Sequence, residues 1–147
     1  LPQQSGQATF AAIQEIVALL MDDPETDWSR VDIPALRKHL TDMHEVTLNA
    51  AVRTEVDGLL VTFTATGDGR TVRSIQRMLS AHVRTDDLPA GWRISAVSVR
   101  EGAALSVLAS NPEDVLKVGA LGLIGLLTMG MHHQRHHLSI ATGHHPH

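Results

Sequence analysis

A chain of 147 residues has the size of one ordinary domain and can bury a core of its own. Its formal charge of −4 and its 12 lysines and arginines argue against the basic surface that nucleic-acid binding needs. The absence of cysteine excludes thiolate metal sites, iron–sulfur clusters and cysteine nucleophiles, whereas ten histidines favour metal or proton chemistry.

The N-terminal part of the chain is predicted to be helical. Residues 1–7 are polar and expected to be flexible, and residues 8–43 form the helical region. Apolar residues at helical spacing mark the first helix: Phe10, Ile13, Ile16, Val17, Leu20 and Met21. Asp32 before Ile33 and Pro34 predicts the start of a second helix, which we expect to end near Met43.

Residues 46–85 are predicted to form a strand, a hairpin, a second strand and a helix. Alternating apolar residues mark the two strands: Val46, Leu48, Ala50 and Val52, then Leu59, Val61, Phe63 and Ala65. Asp57 and Gly58 between them are typical of a hairpin turn. Helical spacing returns after Gly69, and His82 falls near the end of that helix.

Residues 92–138 repeat this order. The alternating residues of the next two strands are Trp92, Ile94, Ala96 and Ser98, then Leu105, Val107 and Ala109. Asn111 and Pro112 then begin a long helix, with Asn111 or Ser110 as its N-cap and acidic residues in its first turn.

These elements predict an α+β fold in a single domain, residues 1–147, with residues 139–147 as a tail. Duplicated ββα units form a four-stranded antiparallel sheet with helices on one face, preceded by two N-terminal helices. The other face is polar and is expected to be wet or to pair with a second subunit. Its predicted residues are Thr47, Asn49, Thr62, Thr64, Arg93 and Ser95. A basic stripe of Arg70, Arg73 and Arg77 is predicted to be a solvated helix face.

The segment Met129–His137 carries the strongest functional pattern. Its candidate metal ligands are Met129, His132, His133, His136 and His137. The histidines form two interleaved i,i+4 pairs, and on one continuous helix such side chains lie about 5–6 Å apart at Cβ. Two imidazoles at that separation can chelate one ion, so the sequence predicts a transition-metal site here.

A second group, His39, Met43 and His44, ends the second predicted helix. We expect it to complete the coordination sphere that the last helix offers. Thioether beside imidazole favours copper, with zinc or nickel as alternatives. The terminal group His144–His147 is discounted because a free tail is rarely a defined site.

Three functions remain open at this stage. The favoured one is a soluble copper-binding protein that carries or sequesters the ion. The others are a copper-dependent redox enzyme that uses the same histidines and a non-catalytic oligomeric interaction module. The metalloprotease motif HExxH is rejected, because His44-Glu45 lacks the second histidine and the segment is predicted to be a strand. The apolar run 118–131 is too short to span a membrane. A histidine-rich chain without cysteine that begins at Leu1 suggests a periplasmic or secreted protein.

Overall fold

The computed structural model describes residues 5–84, 91–131 and 134–143, except for the side chains of residues 5–7, 130–131 and 134–136. Its helices and strands follow in this order: α1 Ser5–Asp22, α2 Ile33–Asn49, β1 Ala51–Asp57, β2 Leu60–Thr66, α3 Arg70–His82, β3 Arg93–Val99, β4 Gly102–Leu108, α4 Pro112–Met131 and α5 Gln134–Ala141.

The four strands form one antiparallel sheet in the order β1-β2-β4-β3. The two central strands pair through Phe63 and Leu105 at the middle of the sheet. The second unit repeats the first with a constant offset: β1 begins at residue 51 and β3 at residue 93, and the same 42 residues separate β2 from β4 and the start of α3 from that of α4. The predicted α+β fold with duplicated ββα units is confirmed.

The main core lies between the sheet and the helices α3 and α4. Alternate residues of the two central strands are buried against these helices: Val61, Phe63, Ala65, Ala103, Leu105 and Val107. Each fully buried large apolar side chain of this kind contributes about 1.5–3 kcal/mol. The intervening residues, such as Thr62 and Ser106, lie on the opposite face, which the described helices leave uncovered.

A second, smaller core joins α1, α2 and α5. Its buried residues are Ile16, Leu20, Leu36, Leu40, Ile140 and Ala141. Asp32 fixes one end of this group, because its side chain caps α2 at the Ala35 N–H and its own N–H donates to the Ala141 carbonyl oxygen. The end of α5 therefore lies at the start of α2, and the two helices run antiparallel.

The first strand begins later than predicted. Helix α2 does not end near Met43 but continues to Asn49, and β1 begins at Ala51. Thr47 and Asn49 thus belong to a helix and not to the open sheet face. The prediction was wrong here because Val46 fits two patterns. It alternates with its neighbours as in a strand, and it also continues the helical spacing of the buried positions Leu36, His39 and Asp42.

The long C-terminal helix is interrupted within α4, and residues 132–133, between α4 and α5, lie outside the described part of the chain. Within α4, Gly122 has a φ of +66°, outside the right-handed helical range. Asp114 and Met129 line one groove, although a straight helix would place them about 22 Å apart along its axis. The helix therefore bends at Gly122, and side chains before and after it do not lie on one straight helical face.

Several predictions concern residues outside the described part of the chain. They are residues 1–4 of the predicted flexible start 1–7, residue 85 at the end of the first ββα unit, the candidate ligands at 132–133 and residues 144–147 of the predicted tail 139–147. Among the described helices, none has both the length and the apolar character needed to cross a membrane.

Candidate metal centre

Two buried histidines from distant parts of the sequence lie side by side. The ring centroids of His39 on α2 and His137 on α5 are 5.6 Å apart, with the ring planes at 64°. His39 is fully buried and His137 is 7% exposed. Because α5 runs antiparallel to α2, this contact lies about two turns along α2 from the Asp32–Ala141 hydrogen bond.

A groove of about 380 Å³ opens beside this contact, between α1 and α2. Met43, His44 and His137 line it, together with small and apolar residues: Ala8, Thr9, Ala12, Leu40, Thr47 and Leu48. His39 contacts the ring of His137 and is not itself part of the lining. The structure thus gathers His39, Met43, His44 and His137 in one region of the α1–α2–α5 group.

The side-chain atoms in this region that can bind a metal ion are imidazole nitrogens, one thioether sulfur and two threonine hydroxyl oxygens. No Asp or Glu is among the described residues that line the groove. Within the described residues no group of three or more His, Cys, Asp or Glu side chains is placed to hold a metal ion. The described chain therefore places two adjacent imidazoles together, with a thioether and a third imidazole nearby, and these groups could supply only part of a coordination sphere.

The other predicted ligands are placed apart or fall outside the description. Met129 lines a separate, largely apolar groove with Trp92 and Lys117, because the bend at Gly122 turns the end of α4 toward that side. His132 and His133 are outside the described residues, and His136 lies on α5 without a described side chain. Their role as ligands stays a prediction.

A polar seam between α2 and α3 was not expected from the sequence. Asp42 is only 2% exposed and accepts hydrogen bonds from Ser74 at 2.8 Å and from two Arg77 nitrogens at 2.7 Å. The hydrogen bonds that Arg77 donates to the Asp42 carboxylate raise the pKa of Arg77. Arg77 is thus part of an ion pair and not of a solvated stripe. The signal in the sequence was an aspartate three residues after His39, on the buried face of α2.

His82, at the end of α3, is a third fully buried histidine. Neither of its ring nitrogens has a hydrogen-bond partner within the described part of the chain. Burial lowers its pKa to about 4, because the charged imidazolium loses hydration. It is not among the described residues that line the groove beside His137, so it is a suitable control for the histidines that do.

No family model, no curated protein and no solved structure matches this chain. The functional conclusion therefore depends on the side chains themselves.

Proposed function

We propose that the chain binds a transition-metal ion, with copper(I) as its preferred ion, through His39 and His137. The contact between these two buried imidazoles carries the proposal. Histidine is the commonest metal ligand, and a buried pair from two separate helices is a more ordered arrangement than a histidine-rich tail.

The spacing of the rings supports a shared ion. Metal–nitrogen bonds of about 2.0–2.1 Å to two imidazoles around one ion separate the ring centroids by roughly 5–6 Å. The observed 5.6 Å lies within that range. Small rotations of the two rings would therefore be enough to direct a nitrogen of each at one ion, without moving α5 away from α2.

The neighbouring donors favour copper(I). Imidazole and thioether are ligands that suit this soft ion, whereas magnesium, calcium and manganese prefer the carboxylates that the described groove lining lacks. Met43 supplies the thioether and His44 a further imidazole. The first turn of α5 contains His137, which contacts His39, and His132 and His133 immediately precede this helix in sequence. A role as carrier or store, and a location outside the cytoplasm, stay predictions.

Competition for Cu(I) against a chromogenic chelator, under reducing conditions, tests the proposal. The parent for this experiment ends at Gly143, so that histidines 144–147 cannot contribute. Loss of a group that only orients a metal ligand already costs about 10–100-fold in affinity. We therefore expect the double variant His39→Gln/His137→Gln to bind at least about 100-fold more weakly than the parent.

The matched control is His82→Gln, which also replaces a fully buried histidine. It should keep the parent's affinity, so that a loss confined to the double variant is not a general effect of burying glutamine. Circular dichroism establishes that both variants fold. Equal affinity of the parent and the folded double variant would show that these imidazoles are not ligands.

A further inference from the structure

The uncovered face of the sheet has a defined pattern of side chains. It consists of four rows that cross the strands in the order β1, β2, β4 and β3. The rows are Asp57-Leu60-Leu108-Arg93, Glu55-Thr62-Ser106-Ser95, Arg53-Thr64-Ala104-Val97 and Ala51-Thr66-Gly102-Val99. The face contains no lysine and no aromatic residue, and the side chains on its two central strands are mostly small. It lacks the charged central positions that usually keep a sheet face in solvent.

The first row has an acid at one end, a base at the other and two leucines between them. Leu60 and Leu108 are direct cross-strand neighbours and are 37% and 42% exposed. Asp57 and Arg93 are separated by three strand spacings, about 14 Å, which is too far for an ion pair within the chain. Neither makes an ion pair with another described residue.

We propose that this face binds the same face of a second copy of the chain, around a two-fold axis that runs nearly along the strands. Such an axis reverses the order of the strands, so that β1 lies over β3 of the other copy and β2 lies over β4. The first row of one copy then lies over the first row of the other copy, with the order of its four residues reversed. Each Asp57 faces an Arg93, and each Leu60 faces a Leu108, twice in the dimer.

Side-chain size fits the same arrangement. The β2 column presents Thr62, Thr64 and Thr66, whereas the facing β4 column presents Ser106, Ala104 and Gly102 in the same rows. Threonine thus meets a residue that is smaller in every row. Facing sheets pack about 10 Å apart, with their strands within about 30° of each other. Because the two-fold axis bisects the angle between the strands of the two copies, it lies roughly 15° from the strands of each.

The area sets the expected strength. Four strands of seven residues cover roughly 450 Å² of flat surface per copy. The accessible surface area is larger than this, because the side chains project from the sheet. The pair therefore buries an area near or below about 1,200 Å², the low end for specific interfaces. We expect a reversible dimer that dissociates on dilution, with opposite charges at its rim setting the orientation.

Sedimentation velocity over a concentration series tests the proposal with a charge swap. A metal chelator is present throughout, so the result does not depend on metal binding. Asp57→Arg places two bases opposite each other, and Arg93→Asp places two acids opposite each other. Each single variant should dimerise at least about tenfold more weakly than the parent, because like charges across an interface are unfavourable. The double variant Asp57→Arg/Arg93→Asp should recover the parent's dimer.

Arg84→Asp is the matched control for Arg93→Asp. It makes the same charge change at an exposed position that follows α3, away from this face. It should dimerise like the parent. Three results overturn the proposal: a parent that is monomeric at every concentration, single variants that dimerise as well as the parent, or a double variant that is as weak as the singles. The last would also follow from a two-fold axis perpendicular to the strands, where Asp57 does not meet Arg93.

Discussion

Arg77 on α3 holds the buried carboxylate of Asp42 on α2 through two hydrogen bonds of 2.7 Å. Asp42 is 3% exposed at its side chain and Arg77 33%, so the acid is removed from water while the base reaches the surface. This pair fixes how α2 lies against α3, which packs on the sheet. It therefore links the main core to the helices that carry the candidate metal centre.

Removal of Arg77 alone should lower the free energy of unfolding more than removal of both Asp42 and Arg77. Arg77→Leu leaves the Asp42 carboxylate buried with only the Ser74 hydroxyl, and we expect a loss of about 2–3 kcal/mol in the free energy of unfolding after allowance for the exposure of the arginine. The double variant Asp42→Leu/Arg77→Leu should lose less than Arg77→Leu alone. A double-mutant cycle by urea unfolding measures the coupling, and strictly additive losses would contradict it.

The bend in α4 gives a prediction with an internal control. Gly122→Ala meets no atom within 4 Å, but its φ of +66° costs an L residue about 1–2 kcal/mol. Gly119→Ala also meets open space, in ordinary helical backbone, and should gain up to about 1 kcal/mol. Urea unfolding of the two variants should therefore show effects of opposite sign. A gain in both would mean that α4 does not need its bend at Gly122.

His82 should make stability depend on pH. Its pKa of about 4 in the folded chain lies below the ordinary 6.5, so the unfolded chain binds the proton more tightly. Its contribution to stability is complete above pH 6.5 and is lost progressively as the pH falls toward 4. Between pH 7 and pH 5 we expect the parent to lose about 2 kcal/mol more than His82→Leu. Urea unfolding at both pH values provides the comparison, and identical losses would show that His82 is not protonated on unfolding.

Local patterns predicted most of the fold. Alternation in β2 and β4, the turn at Asp57 and Gly58, and the cap at Asn111 each specify a local structure that the rest of the chain supports. Asn111 accepts from the Asp114 N–H at 2.9 Å, as a capping residue should. The constant offset of 42 residues then follows from two units of the same length.

Two features could not be predicted because neighbouring patterns compete. The residues from Val46 to Ala50 satisfy both a strand and a helix, and only packing against α3, including the Thr71–Glu45 hydrogen bond, decides for the helix. Three glycines at positions 119, 122 and 125 look equivalent in sequence, although one of them takes the left-handed conformation.

The candidate site depended on long-range packing. The spacing of the C-terminal histidines suggested a continuous helix, and that pattern alone did not distinguish His137 from His132, His133 and His136. The partner of His137 is chosen by the α5–α2 contact, which buries Ile140 and Ala141 against Leu36 and brings His39 to the same level. No local pattern contains that information, because 98 residues separate the two histidines.

The most direct test of metal binding is the position of the ion. Crystals of the full chain grown with one equivalent of Cu(I), under reducing conditions, would give an anomalous difference map at the copper absorption edge. The proposal predicts a peak bonded to one ring nitrogen of His39 and one of His137, at about 2.0–2.1 Å from each. A peak only at the terminal histidines 144–147, with none between His39 and His137, would contradict it.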